Sequence, residues 1–292
     1  VTMDWKKLQN GSDIRGIALE GVPGEHVNLT PDATTTIAKA FITWLKKRVT
    51  ADKEITLAIG TDSRISGPAL KQAFIDGATA VGITVYDCGL ASTPAMFMTT
   101  VDDRQPVTGG VMITASHLPF NRNGIKFFTR DGGLEKQDIA EILDIAEKGD
   151  LPEAADGGRS VDYDFMTRYK AHLTDYIRRE VNAADHDHPL AGMHIVVDAG
   201  NGNGGFFVDV LKSLGADTTG SQFINPDGRF PNHIPNPENK EAMESICQAV
   251  VNSHADLGII FDTDVDRSAI VDRHGDPINR NSLIALIAAV IL

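Results

Sequence analysis

The sequence predicts an α/β protein of two consecutive domains, with mixed, mostly parallel sheets flanked by helices. Short apolar segments typical of buried strands alternate with longer segments of helical periodicity. Several predicted strands run directly into glycine- and aspartate-rich loops, as in "EITLAIGTDSR" (54–64) and "LGIIFD" (257–262). The length of 292 residues is in the range where a chain divides its core between domains.

The first predicted domain covers residues 1–158. After the strand that opens at residue 54, strands and helices alternate, which favours parallel pairing. The predicted elements are a helix over 67–81, a strand over 82–89, a short helix over 93–101, strands over 109–116 and 124–128, and a helix over 135–147. The segment 149–160, "GDLPEAADGGRS", has the composition of a linker.

The second predicted domain covers residues 159–273. Apolar residues recur every four positions from Val161 to Val181, which predicts one face of a long helix. The elements predicted after it are a strand over 193–199, a helix to about 214, a short strand near 216–220, a helix near 238–253, and strands over 257–262 and 268–272. Residues 274–292 are predicted to begin a third domain, truncated here.

Composition excludes some classes of protein. The formal net charge of −13 argues against general nucleic-acid binding, because few cations are available for phosphates. The longest apolar stretch, 283–292, is about half a membrane span, and no membrane association is predicted. Cys88 and Cys247 lack metal-site or redox spacing, which is typical of a cytoplasmic protein. A plastid location is the alternative, if a transit peptide has been removed.

The segment "FDTDVDRS" (261–268) places Asp262, Asp264 and Asp266 at alternate positions after a predicted strand. Three crowded carboxylates repel one another unless a cation neutralises them, and oxygen ligands suit Mg²⁺. A solvated turn is the alternative interpretation. An EF-hand is excluded, because Arg267 and Arg273 occupy the positions where that loop needs glycine and glutamate.

The segment "GVMITASHLPFNRNGIKFF" (110–128) places Ser116 and His117 at the end of a predicted buried strand, with Lys126 following. No nucleophile elbow surrounds the serine, so a serine hydrolase is not indicated. A loop hydroxyl beside an imidazole and an ammonium group, in a chain with a predicted Mg²⁺ loop, fits a serine that carries a phosphoryl group.

The segment "DAGNGNGG" (198–205) contains a G-x-G-x-x-G pattern between a predicted strand and a predicted helix, and Asp217 lies further on. This context is that of a dinucleotide-binding fingerprint, which would indicate an oxidoreductase. A tight strand-to-helix turn is the preferred interpretation, because the pattern does not open its domain and leaves the other two motifs unexplained.

Other charged or polar segments carry weaker signals. Arg15, in a predicted glycine-flanked turn, and Arg64 are each interpreted in isolation as surface arginines. The pair His186 and His188 is predicted to be solvated. The segment 225–238 is rich in proline and asparagine, which predicts an ordered functional loop.

Together these motifs resemble the α-D-phosphohexomutase family, which includes phosphoglucomutases, phosphomannomutases and phosphoglucosamine mutases. The motifs that carry the resemblance occur in the family's order across the chain: "SDIRG", "GTDSR", "TPA", "TASH", "NGIKFF", "DAGNGNGG", "PDGRFPNHIPNPE" and "DTDVDR". The resemblance implies the first two domains of a four-domain architecture. It also implies that hexose 1-phosphate and hexose 6-phosphate, of glucose or mannose, are interconverted through a bisphosphorylated sugar.

The resemblance assigns a role to each candidate residue. It implies that Ser116 carries the phosphoryl group, and that a phosphate oxygen on Ser116 joins the three aspartates as a ligand of Mg²⁺. His117 and Lys126 match positions that support the phosphoserine and transfer protons, and Arg15 and Arg267 match arginines that stabilise the phosphoryl group. The implied substrate is a phosphorylated hexose, with a hexose 1,6-bisphosphate as activator.

Two departures and one gap separate this sequence from the family pattern. Leu118 stands where the family has asparagine, and Thr263 stands where it has glycine, so the metal loop is expected to take a different backbone shape. The family's sugar-reading and distal-phosphate loops are not recognisable here, so no substrate-binding residues are predicted. A non-catalytic relative that binds metal or phosphosugar is therefore the alternative function.

Overall fold

A computed structural model of the chain describes residues 3–50 and 53–291. The chain forms two compact units, one ending at Met166 and the other beginning at Thr167. Each unit contains its own sheet and its own apolar core. The predicted α/β class is therefore confirmed.

The first unit is a sheet flanked by helices. Its strands are β1 (Gln9–Asn10), β2 (Asp13–Ile17), β3 (Thr56–Thr61), β4 (Thr84–Leu90), β5 (Gly109–Ile113), β6 (Arg122–Thr129), β7 (Gly132–Gly133) and β8 (Arg159–Asp162). Its helices are a 3-10 helix (Trp5–Leu8), α1 (Pro31–Lys46), α2 (Gly67–Thr79), α3 (Thr93–Val101) and α4 (Lys136–Lys148).

The strands of this sheet lie in the order β1-β2-β6-β5-β3-β4-β8, and β7 pairs with β6. The half formed by β5, β3, β4 and β8 is parallel, as predicted. The other half is antiparallel, because β6 returns beside β5 and pairs with β2 on its other side. The sheet is therefore evenly mixed rather than mostly parallel.

Helix α1 is an element that sequence reasoning missed, although its signals are local. The Thr30 hydroxyl accepts a hydrogen bond from the backbone N–H of Ala33 at 3.1 Å, and Pro31 follows at the first helical position. Ile37, Phe41 and other apolar residues at helical spacing are fully buried in the first core. Helix α1 thus covers one face of the sheet.

The second unit contains α5 (Phe165–Val181, which begins just before the division), β9 (Ile195–Asp198), α6 (Phe206–Ser213), α7 (Lys240–Ser253), β10 (Leu257–Phe261), β11 (Ser268–Asp272) and α8 (Arg280–Ile291). In its sheet, β9 is parallel to β10, and β10 is antiparallel to β11. The short strand predicted near 216–220 is reduced to isolated bridges at Asp217 and Gln222.

Two local predictions were wrong. Arg15 lies within strand β2 rather than in a turn, because β2 pairs with β6 and is held in an extended conformation. Val161 lies in β8, on the edge of the first sheet, and the helix begins only at Phe165. Because β8 pairs with β4, it belongs to the first unit, and the chain divides only after Met166. The domain boundaries predicted from composition, at 158/159 and 273/274, stay predictions.

Helix α8 is apolar and largely exposed. Ile284, Leu286 and Val290 are between 62% and 78% exposed. Within residues 3–50 and 53–291, no helix combines the length and the apolar character needed to cross a bilayer.

Candidate active site

Ser116 lies in the loop that joins β5 to β6. Strand β5 is buried along its whole length and ends at Ile113, and the Thr114 N–H donates to the carbonyl oxygen of Gly124 at 3.0 Å. This bond extends the pairing of β5 and β6 to the start of the loop. The loop therefore begins at a fixed point of the sheet.

Ser116 is 1% exposed, and its backbone is left-handed, with a φ of +53°. This conformation costs roughly 1–3 kcal/mol for a residue other than glycine and persists only where the surroundings impose it. The Ser116 N–H donates to the hydroxyl of Thr114 at 2.9 Å, and its Oγ lies 3.4 Å from Nδ1 of His117. The serine and its neighbouring histidine are thus brought together as predicted.

Arg15 and Lys126 meet at a carboxylate that sequence reasoning missed. One oxygen of Asp13 lies 2.9 Å from Nη2 of Arg15 and 3.9 Å from Nζ of Lys126, and all three side chains are at most 16% exposed. Asp13 and Arg15 alternate along β2, so they share a face, and β6 carries Lys126 beside them. The alternation of Asp13 and Arg15 in the sequence is the signal from which this carboxylate could have been predicted. Two cations on one carboxylate leave a net positive charge suited to an anion.

Asp262, Asp264 and Asp266 converge in the loop after β10. One carboxylate oxygen from each lies within 4.8 Å of the others. Asp262 and Asp264 are fully buried and Asp266 is exposed. Burying two like charges at this distance is unfavourable without a cation. The set of oxygen ligands, with one side open to solvent, fits Mg²⁺.

The backbone of this aspartate loop is itself organised by Asp262. Its Oδ1 accepts hydrogen bonds from the N–H groups of Asp266 and Arg267, both at 3.1 Å. Thr263 is fully buried, and the left-handed residue of the loop is Val265, with a φ of +67°. The positive φ thus falls on a β-branched residue. This backbone conformation is unfavourable for valine, so contacts with the rest of the loop must stabilise it.

The glycine-rich turn 200–205 packs against the aspartate loop. A Cβ on Gly202 would lie 2.7 Å from both the Cα and the carbonyl oxygen of Thr263, and one on Gly204 would lie 2.8 Å from the ring of Phe261. The Asn203 N–H donates to the Thr263 carbonyl oxygen at 2.9 Å. These glycines therefore permit close packing of two loops, which agrees with the preferred interpretation of a tight turn.

The proline- and asparagine-rich segment 225–238 is ordered around His233. Its Nε2 lies 3.0 Å from both carboxylate oxygens of Asp198, at the end of β9, and both residues are buried. Burial lowers the pKa of His233, but the hydrogen bond and charge of Asp198 outweigh burial and raise it above its ordinary value. Asp198 and His233 thus attach this segment to the sheet.

Arg267 is exposed, directly after the aspartates. Together with Asp266 it lines a cavity of about 270 Å³ beside α8, near the lower limit for a small-molecule site. His186 and His188 are mostly exposed, with 68% and 57% of their side chains accessible, as predicted for solvated residues.

The interpretation of Arg15 and Arg64 as surface residues was wrong. Arg15 belongs to the cluster on Asp13, and Arg64 is 1% exposed. A charged group is buried only where it is paired, and each arginine has its carboxylate partner two positions earlier, Asp13 for Arg15 and Asp62 for Arg64. The Asp-x-Arg spacing was therefore a local signal of both pairs, whereas the burial itself depends on β6 beside Arg15 and on the loop carbonyl groups around Arg64.

The candidate residues fall into two groups, one in each unit. Ser116, His117, Lys126 and Arg15 lie at the β2, β5 and β6 region of the first sheet. The three aspartates and Arg267 lie at the end of β10 in the second. Each group is compatible with the chemistry predicted for it.

Comparison with known proteins gives the same division. The model of phosphoglucomutase/phosphomannomutase α/β/α domain I matches residues 6–153, and that of α/β/α domain II matches residues 168–275. The chain is 34% identical to a phosphoglucomutase of Neisseria meningitidis over 282 residues and 32% identical to a phosphomannomutase of Salmonella montevideo over 295 residues.

These alignments cover 96% and 98% of the chain but 56% and 60% of the relatives. A crystal structure of a phosphoglucomutase/phosphomannomutase family protein from Burkholderia thailandensis superposes with a TM-score of 0.83 at 26% identity. The superposition covers the whole of this chain and 60% of the Burkholderia thailandensis protein. The chain thus spans somewhat more than half the length of these relatives.

The two matched domains cover most of the chain and contain both groups of candidate residues. The chain belongs to the phosphoglucomutase/phosphomannomutase family, the phosphohexomutases.

Proposed function

We propose that this chain is the phosphoserine- and metal-bearing part of a phosphohexomutase that interconverts hexose 1-phosphate and hexose 6-phosphate of glucose or mannose. Ser116 gives its phosphoryl group to the free hydroxyl of a hexose monophosphate, which yields the 1,6-bisphosphate. The phosphoryl group at the other end then returns to Ser116. In each transfer one P–O bond forms as another breaks, and the acceptor's proton passes to a basic group of the site.

The observation that carries this proposal is the conformation of Ser116. A serine held left-handed in a buried loop, at the end of a strand, cannot be explained by the preferences of its own residue type. Backbone strain of this kind is typical of sites where a reacting atom must be aimed. Phosphoryl transfer depends on such aim, because alignment and charge neutralisation supply most of its catalysis.

The charged residues of the first unit supply functions that phosphoryl transfer needs. Arg15 and Lys126 are assigned to neutralising the phosphoryl oxygens, with Asp13 keeping both cations oriented. Lys126 and His117 are the groups assigned to proton transfer at the hydroxyls. His117 is the neighbour of Ser116 Oγ in the present geometry.

The three aspartates of the second unit are assigned to holding Mg²⁺. A bound Mg²⁺ would neutralise charge that develops on the phosphoryl oxygens. Support comes from the convergence of the three carboxylates within 4.8 Å and from the burial of two of them. Asp262 also holds the loop backbone, so it would keep the other two ligands in place.

The test is phosphorylation of Ser116 by a hexose bisphosphate. The purified protein is incubated with Mg²⁺ and glucose 1,6-bisphosphate, with mannose 1,6-bisphosphate in parallel, and intact mass and peptide mapping are recorded. One phosphate on Ser116 is expected, absent from Ser116→Ala and retained by Ser160→Ala, whose serine is exposed in β8. An unmodified Ser116 under these conditions would favour the non-catalytic alternative.

A further inference from the structure

The buried side chain of Arg64 makes contacts that no role assigned so far explains. Its Nη2 donates to the carbonyl oxygens of Ser116, at 2.5 Å, and Leu118, at 2.6 Å. Its Nη1 donates to the carbonyl oxygens of Pro119, at 2.7 Å, and Arg122, at 3.1 Å. One guanidinium therefore binds four carbonyl groups of the loop that carries the serine, from its first turn to the start of β6.

Asp62 connects the same arginine to the other side of Ser116. Its Oδ2 lies 3.3 Å from Nε of Arg64 and accepts a hydrogen bond from the Thr114 hydroxyl at 2.6 Å. That hydroxyl in turn accepts from the Ser116 N–H. The carbonyl group of Ser116 is thus held by Arg64 directly, and its N–H is held through Asp62 and Thr114.

Fixing both backbone groups of one residue restricts the two dihedrals on either side of its Cα. The left-handed conformation of Ser116 is therefore the one that this network imposes. We infer that Arg64 is a positioning residue. By binding the carbonyl groups of the loop, it fixes the orientation of Ser116 for phosphoryl transfer. This inference rests on the proposed function for its catalytic consequence, but the holding of the loop is a separate, measurable property.

Arginine is the residue type that this position requires. Its planar group presents four N–H bonds from two terminal nitrogens in fixed directions, whereas a lysine ammonium has three donors on one atom. A lysine would keep the positive charge beside Asp62. It could not make all four contacts, because its donors are on one nitrogen, whereas Arg64 donates to the carbonyl groups from two. Leu118 takes part through its carbonyl group alone, so the family's asparagine is not needed for this contact.

The experiment compares Arg64→Lys with Ile142→Ala. Ile142 is fully buried in α4 and contacts the core, so its loss lowers stability without touching the loop. The rate of Ser116 phosphorylation is measured at varied glucose 1,6-bisphosphate, and hydrogen exchange is measured at residues 114–122. We expect Arg64→Lys to slow the saturated rate roughly tenfold to a hundredfold, with the half-saturating concentration unchanged, and to speed exchange in the loop. Ile142→Ala should do neither.

The inference would be overturned if Arg64→Lys had the same saturated phosphorylation rate as the parent. It would also be overturned if Ile142→Ala, with the same melting temperature as Arg64→Lys, showed the same decrease in that rate. If the parent takes up no phosphate, the proposed function fails, and the exchange measurement still decides whether Arg64 holds the loop. Unchanged exchange at residues 114–122 in Arg64→Lys would then overturn it, whereas faster exchange confined to those residues would support it.

Discussion

At the scale of single residues, both candidate loops depend on side chains that fix an unfavourable backbone. Ser116 and Val265 have positive φ angles, and neither residue type favours them. In each loop a buried aspartate organises the backbone, Asp62 through Thr114 and Asp262 through two N–H groups. In the first loop the residues that impose the backbone geometry are thus separate from Ser116, whereas in the second Asp262 is both a candidate metal ligand and the residue that holds the backbone.

Lys126 gives the first residue-scale prediction. Lys126→Met should leave Ser116 able to hold phosphate but slow transfer to a sugar hydroxyl by roughly a hundred- to ten-thousand-fold, because a proton-transfer group is lost. Single-turnover transfer from phosphorylated protein to glucose 1-phosphate is the measurement. Lys148→Met is the matched control, since that side chain is 68% exposed on α4. Equal rates in both variants would remove Lys126 from the mechanism.

Asp264 gives the second residue-scale prediction. Asp264→Asn keeps the size of the side chain and removes the charge of one ligand, so Mg²⁺ affinity should fall by at least about tenfold, as changes around metal ligands commonly do. Isothermal calorimetry with Mg²⁺ measures this directly. Asp209→Asn, on the exposed surface of α6, is the control. Unchanged affinity in Asp264→Asn would show that Asp264 does not hold Mg²⁺.

The candidate residues whose places in the fold could be predicted are those whose signal is local. Ser116, His117 and the three aspartates follow strands directly, and their grouping can be inferred from spacing. Arg64 could not be predicted in the same way, because its carbonyl partners lie 52 to 58 positions further along the chain. Arg15 was misplaced for a similar reason, since its strand exists only by pairing with β6.

At the scale of elements, the second unit joins its loops by close backbone packing. Gly202→Ala would place a Cβ against the backbone of Thr263, so the aspartate loop must move. We expect a loss of roughly 1–3 kcal/mol in the free energy of unfolding, as overpacking typically costs, together with weaker Mg²⁺ binding. Denaturant unfolding and calorimetry measure the two effects.

The control for this substitution is Gly133→Ala, where the nearest atom to a new Cβ is 3.6 Å away, an ordinary contact. If Gly202→Ala behaved like Gly133→Ala in both measurements, the glycine-rich turn would have no role in shaping the metal loop. The dinucleotide interpretation of that turn would then need to be tested again.

The attachment of segment 225–238 predicts a pH dependence of stability. The pKa of His233 is raised in the folded chain, because Asp198 outweighs burial. Its contribution is therefore fully present below the unfolded value of about 6.5 and is lost as pH rises through the raised folded value. We expect the parent's melting temperature to fall over this window, and the fall to be smaller in His233→Gln.

The control for the pH measurement is His172→Gln, whose side chain lies on the exposed part of α5. It should keep the parent's profile. Identical profiles for His233→Gln and the parent would show that the Asp198 contact does not couple protonation to folding.

At the scale of the whole molecule, alternation of strands and helices was sufficient to predict the α/β class. It did not predict that half of the first sheet is antiparallel, because β2 pairs with β6 across a long stretch of sequence, from Ile14 to Ile125. The weak strand near 216–220 also failed, since only single bridges form there. Local pattern therefore identifies elements, whereas the sheet order depends on non-local pairing that the pattern does not encode.

The length of the chain relative to its family leads to the last prediction. A mutase must hold the distal phosphate and ring hydroxyls of its substrate while the bisphosphate turns over between two transfers. The chain spans 56% to 60% of the relatives compared above, and neither a sugar-reading loop nor a distal-phosphate loop is recognisable in its sequence. Contacts remote from the reacting atoms contribute to rate as well as to affinity, because they keep the reactant aligned.

We therefore expect the 292-residue chain to fold, bind Mg²⁺ and accept phosphate on Ser116, but to interconvert hexose 1- and 6-phosphates little or not at all. A coupled mutase assay with a hexose bisphosphate as activator measures this, with the full-length Neisseria meningitidis phosphoglucomutase as the positive control and Ser116→Ala as the background. Turnover comparable to the positive control would mean that the substrate site lies within these two units. Turnover at background despite a phosphorylated Ser116 would instead show that phosphorylation of the serine does not depend on capture of the sugar for a second transfer.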